Sequence, residues 1–173
     1  VLTLDTSSIA DADGLGSFTI NWLRNGSTVE TGTSSTYTLK QEDVNSVITA
    51  QVTYTDGGNV VETLLSDATS AVQNINDEPT GKLNITGNPT QGSTLSVLAT
   101  NIIDEDGITT LSYQWMRDDA QISDATNSTY TLTQDDVGKQ IKVTASYTDT
   151  FGTLENVSSD PSSIIASQTI GAF

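Results

Sequence analysis

The sequence predicts an all-β fold, arranged as two tandem β-sandwich domains joined end to end. Three observations carry this. The chain realigns with itself without a gap at a shift of 93 residues. Alternating apolar and polar residues recur at matching places in both halves. No stretch shows a helical hydrophobic period.

The repeat is visible residue by residue. Asp11–Gly14 (DADG) falls on Asp104–Gly107 (DEDG), Trp22 on Trp115 and Arg24 on Arg117. Ser35–Leu39 falls on Ser128–Leu132 (both STYTL), Tyr54–Asp56 on Tyr147–Asp149 (both YTD) and Glu62 on Glu155. A unit of this length suits a single sandwich of about 100 residues. The division expected is a first repeat over 1–74, a connecting segment over 75–81 and a second repeat over 82–173.

The strands of the second repeat follow in order. Strand A is expected at Lys82–Thr86 and strand B at Thr94–Ile102, where Leu95, Val97 and Ala99 alternate with polar residues. Strand C is expected at Leu111–Arg117, with Leu111, Tyr113 and Trp115 pointing one way and Phe18, Ile20 and Trp22 as their first-repeat counterparts. A short strand C′ lies near Gln121–Ser123, and strand E covers Thr129–Thr133. Strand F, Gln140–Tyr147, alternates most clearly: Ile141, Val143, Ala145 and Tyr147 against Gln140, Lys142, Thr144 and Ser146. Period two over eight residues marks a half-buried strand. Strand G is expected at Leu154–Ile165. Asn45 and Gly138 occupy equivalent corners before strand F, where a left-handed backbone is expected. The first repeat opens at strand B, so the chain is expected to be an excised fragment whose own strand A is missing and whose sheet edge is unprotected.

This strand order resembles an immunoglobulin-like sandwich, with Trp115 in the place of the buried strand-C tryptophan. Cysteines and a corner tyrosine, present in antibody-type domains, are missing here. The ordered set of DxDG, STYTL, DVGK, YTD and the connecting NDEPTG of Asn76–Gly81 is similar to the immunoglobulin-like, cadherin-like repeats of giant bacterial surface adhesins, the RTX-type and biofilm-associated proteins. The resemblance implies a spacer: a rod of such units, stiffened by calcium at the connecting segments, that holds a distal adhesive domain away from the cell for adhesion or biofilm formation. It implies an extracellular place on the bacterial surface, with neighbouring repeats of the same polypeptide as partners and a fragment that is monomeric.

Composition narrows the chemistry. The chain has 22 acidic and 6 basic residues, a net charge of −16, and neither cysteine nor histidine. Such a surface repels nucleic acid and anionic membranes, and no apolar run suggests membrane insertion. Ionic ligands must be oxygens, which suit hard cations such as Ca2+. Strand parity places the B–C and F–G loops at the end where strand A begins. Asp104 and Asp106, Asp149 and Glu155 are thereby gathered with Asn76, Asp77 and Glu78 as a candidate inter-repeat calcium site. Asp11, Asp13, Asp56 and Glu62 form the first-repeat equivalent, expected to be weaker because it lacks the connecting segment. The competing reading is ordinary turn chemistry, since Asp accepts backbone N–H groups and Gly supplies positive φ.

Other residues read as structural. Trp22 and Trp115 belong to the core, Arg24 and Arg117 pair with a local acid or cover apolar surface, and Glu42 and Asp43, with Asp135 and Asp136, cap their corners. Phe151 is the best candidate for an exposed contact, with packing against the neighbouring repeat as the equal alternative. No Ser/His/Asp set, phosphate loop or nucleophile elbow is present, so an enzyme is not expected. A glycan- or protein-binding adhesion module is the alternative function.

Overall fold

The computed structural model describes residues 1–168. The chain divides into two compact units, Val1–Ile75 and Asn76–Phe173. Residues 76–81, expected as part of the connecting segment, thus cluster with the second unit, where Thr80 bridges Ile103.

The first unit contains β1 (Leu2–Thr3), β2 (Thr19–Arg24), β3 (Ser27–Gly32), β4 (Thr36–Tyr37), β5 (Ile48–Thr55) and β6 (Val61–Leu65). They form an antiparallel sheet in the order β3-β2-β5-β6 and a two-stranded sheet of β1 and β4. The second unit contains β7 (Asn84–Thr86), β8 (Thr94–Leu98), β9 (Ser112–Arg117), β10 (Ala120–Gln121), β11 (Thr129–Thr131), β12 (Ile141–Thr148) and β13 (Leu154–Ser158). Its sheets are β10-β9-β12-β13 and β11-β8-β7. The fold is all-β and immunoglobulin-like.

The alternation in the sequence fixes which side chains enter each core. Along β12, Ile141, Val143, Ala145 and Tyr147 are buried while the residues between them are half-exposed; β5 repeats this with Ile48, Ala50, Val52 and Tyr54. Trp115 is fully buried and sits opposite Val143, and Trp22 sits opposite Ala50. Each indole is satisfied: Trp115 Nε1 donates to the Asn127 carbonyl at 2.8 Å and Trp22 Nε1 to that of Ser34 at 3.3 Å. Each also stacks on a tyrosine, Trp115 on Tyr130 at 5.8 Å and Trp22 on Tyr37 at 5.5 Å between centroids. Both tryptophans therefore belong to the core, as their alternation predicts. Asn45 and Gly138 take the expected left-handed conformation, at φ 62° and 79°.

Strands A, C and E are one or two residues shorter than expected, and strands B and G are shorter by several. Strand B ends at Leu98, because the neighbouring β7 and β11 offer no ladder partner beyond it; the chain then turns through an Ile102-to-Ala99 hydrogen bond with Ile102 still buried. Strand G ends at Ser158 rather than Ile165. Pro161 lacks the N–H that a ladder needs, and serine hydroxyls take over along the edge. Ser159 and Ser162 Oγ accept from the Val143 and Ile141 amides at 3.1 and 2.9 Å.

Candidate metal centre

In the second unit the turn after β8, the turn between β12 and β13, and the Asn76–Asp77 segment supply one group of oxygens. The DxDG turn folds through Asp104, whose Oδ1 accepts the Asp106 amide at 2.8 Å. Its Oδ2 accepts the Tyr147 hydroxyl at 2.5 Å. Asp106 is only 1% exposed, and its Oδ2 accepts the Asp77 amide at 2.7 Å. Glu155, opposite Tyr147 in the β12–β13 ladder, accepts from Asn76 Nδ2 at 2.9 Å. Asn76 and Asp77 thus bind this unit with different groups: Asn76 with its side chain, Asp77 with its backbone, leaving the Asp77 carboxylate exposed.

Asp149 is the anomaly in the group. Its Oδ1 accepts the Phe151 and Thr153 amides at 2.8 Å each. Its Oδ2 is buried and has no hydrogen-bond partner, although the residue is only 4% exposed. A buried, unsatisfied carboxylate oxygen is costly unless a cation or water meets it. Burial pushes the Asp149 carboxyl up, but the amides of Thr153, Phe151 and Gly152 outweigh it and hold it below its usual value, so it is charged at neutral pH. Burial, then the bond to Asp104 and the charges of Asp104, Glu155 and Asp149, push the Tyr147 hydroxyl far up. Tyr147 therefore stays protonated and donates to Asp104.

The first unit repeats the pattern with a tighter group of acids. One carboxylate oxygen from each of Asp11, Asp13 and Asp56 lies within 4.8 Å of the others, the one such trio of acidic side chains among the described residues. Asp11 Oδ1 accepts the Asp13 amide and its Oδ2 the Tyr54 hydroxyl, both at 2.9 Å. Asp56 Oδ1 accepts the Val60 amide at 2.8 Å, and the Gly57 amide donates to the Asp13 carbonyl at 3.1 Å, tying the two loops together. Glu62 lies opposite Tyr54 in the β5–β6 ladder.

The chemistry of both groups fits a hard divalent cation. Every donor is a carboxylate, amide or hydroxyl oxygen, and Asp149 Oδ2 is an acceptor without a donor. In the second unit Asp149 would hold the ion through Oδ2, with Asp104, Asp106 and Glu155 as the other candidate ligands and Asn76 and Asp77 adjoining; unlike the first-unit acids, no three of these bring their oxygens within 4.8 Å of one another. In the first, Asp11, Asp13 and Asp56 would hold it, with Glu62 behind Tyr54.

The two corner acids do not take part. Asp136 and Asp43 are fully buried and pair with Arg117 and Arg24 Nε at 2.7 Å each. Tyr130 and Tyr37 hydroxyls donate to them at 2.9 and 3.1 Å, and the Thr133 and Lys40 amides at 2.6 and 2.8 Å. Burial raises the Asp136 carboxyl, but the Thr133 amide, Arg117 and Tyr130 together hold it below its usual value. Phe151 is 41% exposed at the tip of the β12–β13 turn.

The roles of the four tyrosines were not legible as site chemistry. Tyr54 and Tyr147 read as core residues of strand F, and Tyr37 and Tyr130 as parts of the STYTL motif. Their spacing of 93 residues together with Asp11/Asp104 and Asp43/Asp136 was the available signal.

Comparison with curated proteins returns no match. Residues 79–148, from just before β7 to the end of β12, match the family model described as the AIR9 A9 domain. That is an immunoglobulin-like domain family, and the likeness supports, at the coarsest level, a generic adhesion or extender module.

Proposed function

We propose that this chain is a pair of spacer modules from an extracellular bacterial surface adhesin, each carrying a Ca2+ site at its loop end. The observation that carries the reading is the buried, unpartnered Asp149 Oδ2, in a unit where the Tyr147 hydroxyl feels the charges of Asp104, Glu155 and Asp149 together. A bound calcium supplies positive charge that offsets the repulsion among these acids and fills the vacant acceptor.

The chain's own residues do the rest. Asp106 and Glu155 already grip the Asp77 amide and the Asn76 side chain. Because Asn76 directly follows Ile75, the last residue of the first unit, any gain in order at these acids is passed to the segment that joins the units. Module-type extracellular calcium sites work at about 10⁻⁴ to 10⁻³ M, concentrations found outside cells. The two tryptophans are buried and stacked on tyrosines, so neither offers a face to a sugar, and the acids are engaged by amides and tyrosines rather than disposed about a cleft. The module is accordingly read as non-enzymatic.

Small-angle scattering with calcium and then with EGTA tests this. The reading expects a narrower distribution of dimensions with calcium than without. Identical profiles in the two conditions would reject the stiffening role.

A further inference from the structure

We propose that the outer face of the four-stranded sheet in the second unit carries a binding site for a neutral saccharide. The site is a hollow of about 360 Å³ over β9, β10, β12 and β13. Strand alternation puts its residues outside. Ser112, Gln114 and Met116 alternate along β9 with the buried Trp115. Thr144 and Ser146 lie between the buried residues of β12, and Asn156 lies between the buried Glu155 and Val157 of β13. The hollow shares no residue with the acidic group of this unit, so the inference stands apart from the calcium reading.

The first unit shows what opens the hollow. At the same register, 93 residues earlier, Asn21 lies opposite Gln51, and its Nδ2 donates to Gln51 Oε1 at 3.2 Å. The two amides meet across the sheet face. In the second unit the facing pair is Gln114 and Thr144, and threonine is too short to meet the glutamine in this way. Gln114 Nε2 turns instead to the Trp115 and Ile122 carbonyls, at 2.8 Å each. Ser112 and Ser146 stand where the first unit has Thr19 and Thr53. Each lacks a methyl group and widens the space.

The lining fits an uncharged, polyhydroxylated ligand. None of its side chains is charged, in a chain of net charge −16. An anion would find no cation there, and a cation no carboxylate. Lys142, the preceding outward residue on β12, is paired with Asp119 at 3.6 Å. The side chains of Ser112, Ser146, Gln121 and Asn156 make no hydrogen bond among the described residues, and Gln114 Oε1 is left as an acceptor. Hydroxyls and amides each offer both a donor and an acceptor, the mixture that sugar hydroxyls match. Met116, whose Sδ accepts from Thr144 Oγ1 at 3.6 Å, and the half-buried Tyr113 supply apolar surface for the C–H groups of a ring. The volume lies at the low end of ligand sites, which run from about 300 to about 1,000 Å³, so the ligand is a short saccharide unit.

The test is an NMR titration of the full chain with the methyl glycosides of glucose, galactose, mannose and N-acetylglucosamine, and with methyl glucuronide as the charged counterpart. It reads the side-chain amides of Gln114, Gln121 and Asn156. The proposal expects saturable shifts there with at least one neutral glycoside, and affinity at least about tenfold lower for the glucuronide, which the acidic chain repels. Thr144→Gln, which copies the first-unit pairing, should abolish the shifts, and Ser146→Thr should weaken binding several-fold; an unmoved Trp115 indole resonance shows that each variant is folded. No saturable shift with any neutral glycoside would overturn the proposal, as would unchanged binding in either folded variant or equal affinity for the glucuronide. Shifts at the same amides on raising the protein concentration alone would also overturn it, since a second copy would then be the occupant.

Discussion

Substituting Asp56→Asn should stabilise the first unit without calcium and leave it the less stable form with calcium. Oxygens of Asp11, Asp13 and Asp56 lie within 4.8 Å of one another. Two unit charges at that distance repel by about 3.5 kcal/mol at an effective dielectric of 20 and about 0.9 kcal/mol at that of water. Asp13 is exposed, so values near the lower figure apply. Salt at physiological strength leaves about half of this, because the Debye length is about 8 Å. Asparagine removes two of the three repulsive pairs. It also keeps an oxygen for the Val60 amide, which now binds Asp56 Oδ1 at 2.8 Å. The calcium-free variant should therefore be more stable by about 1 kcal/mol. At a calcium concentration about a hundred times its dissociation constant, the unaltered chain gains about 2.7 kcal/mol, and the variant, one ligand short, gains little. Urea unfolding read by Trp22 fluorescence in a Trp115→Phe background reports the first unit in EGTA and in calcium. A variant that is less stable in EGTA, or that gains as much from calcium as its parent, would refute the reasoning.

Three further outcomes follow from the geometry. Asp136→Asn should cost the second unit about 3 kcal/mol in urea unfolding, the low end for breaking a buried ion pair, because Arg117 keeps 27% of its side-chain surface exposed and can rehydrate. The Asp136 carboxyl is held below its usual value, so its contribution is fully present above the unfolded value near about 3.9 and is lost as pH falls through the folded value; acid titration of unfolding should be flatter for Asp136→Asn than for the parent. Gly57→Ala would place a Cβ 2.3 Å from the Asp13 carbonyl oxygen, so it should separate the Asp13 and Asp56 loops and weaken calcium binding to the first unit in calorimetric titration, with the second-unit site unchanged.

Period-two runs in strands C and F were enough to place Trp22, Trp115 and the aliphatic stripes inside, because one face of each strand is buried and a one-residue slip would invert it. Strand ends were less legible. The end of strand G depends on Pro161 and on serine hydroxyls that replace ladder partners, and the end of strand B depends on where its neighbours stop. Parity of the strands brought Asp104, Asp106, Asp149 and Glu155 to one region with Asn76 and Asp77. It did not reveal that Asp77 would bind through its amide rather than its carboxylate, which is a matter of backbone direction in an irregular segment. Nor did it show that the first unit would hold the tighter trio of acids, since that depends on which Asp oxygens the tyrosines and amides already occupy. The pairing of Arg24 and Arg117 with local acids was legible; the tyrosine that completes each corner was not, because a strand-E tyrosine reads equally well as plain core.

Anomalous diffraction from crystals of the chain grown in excess calcium tests the account at its centre. The account predicts an anomalous peak at about 2.3–2.6 Å from Asp149 Oδ2, with oxygens of Asp104, Asp106 and Glu155 around it. A map with no such peak, in which Asp149 Oδ2 meets a water or a protein donor instead, would contradict it.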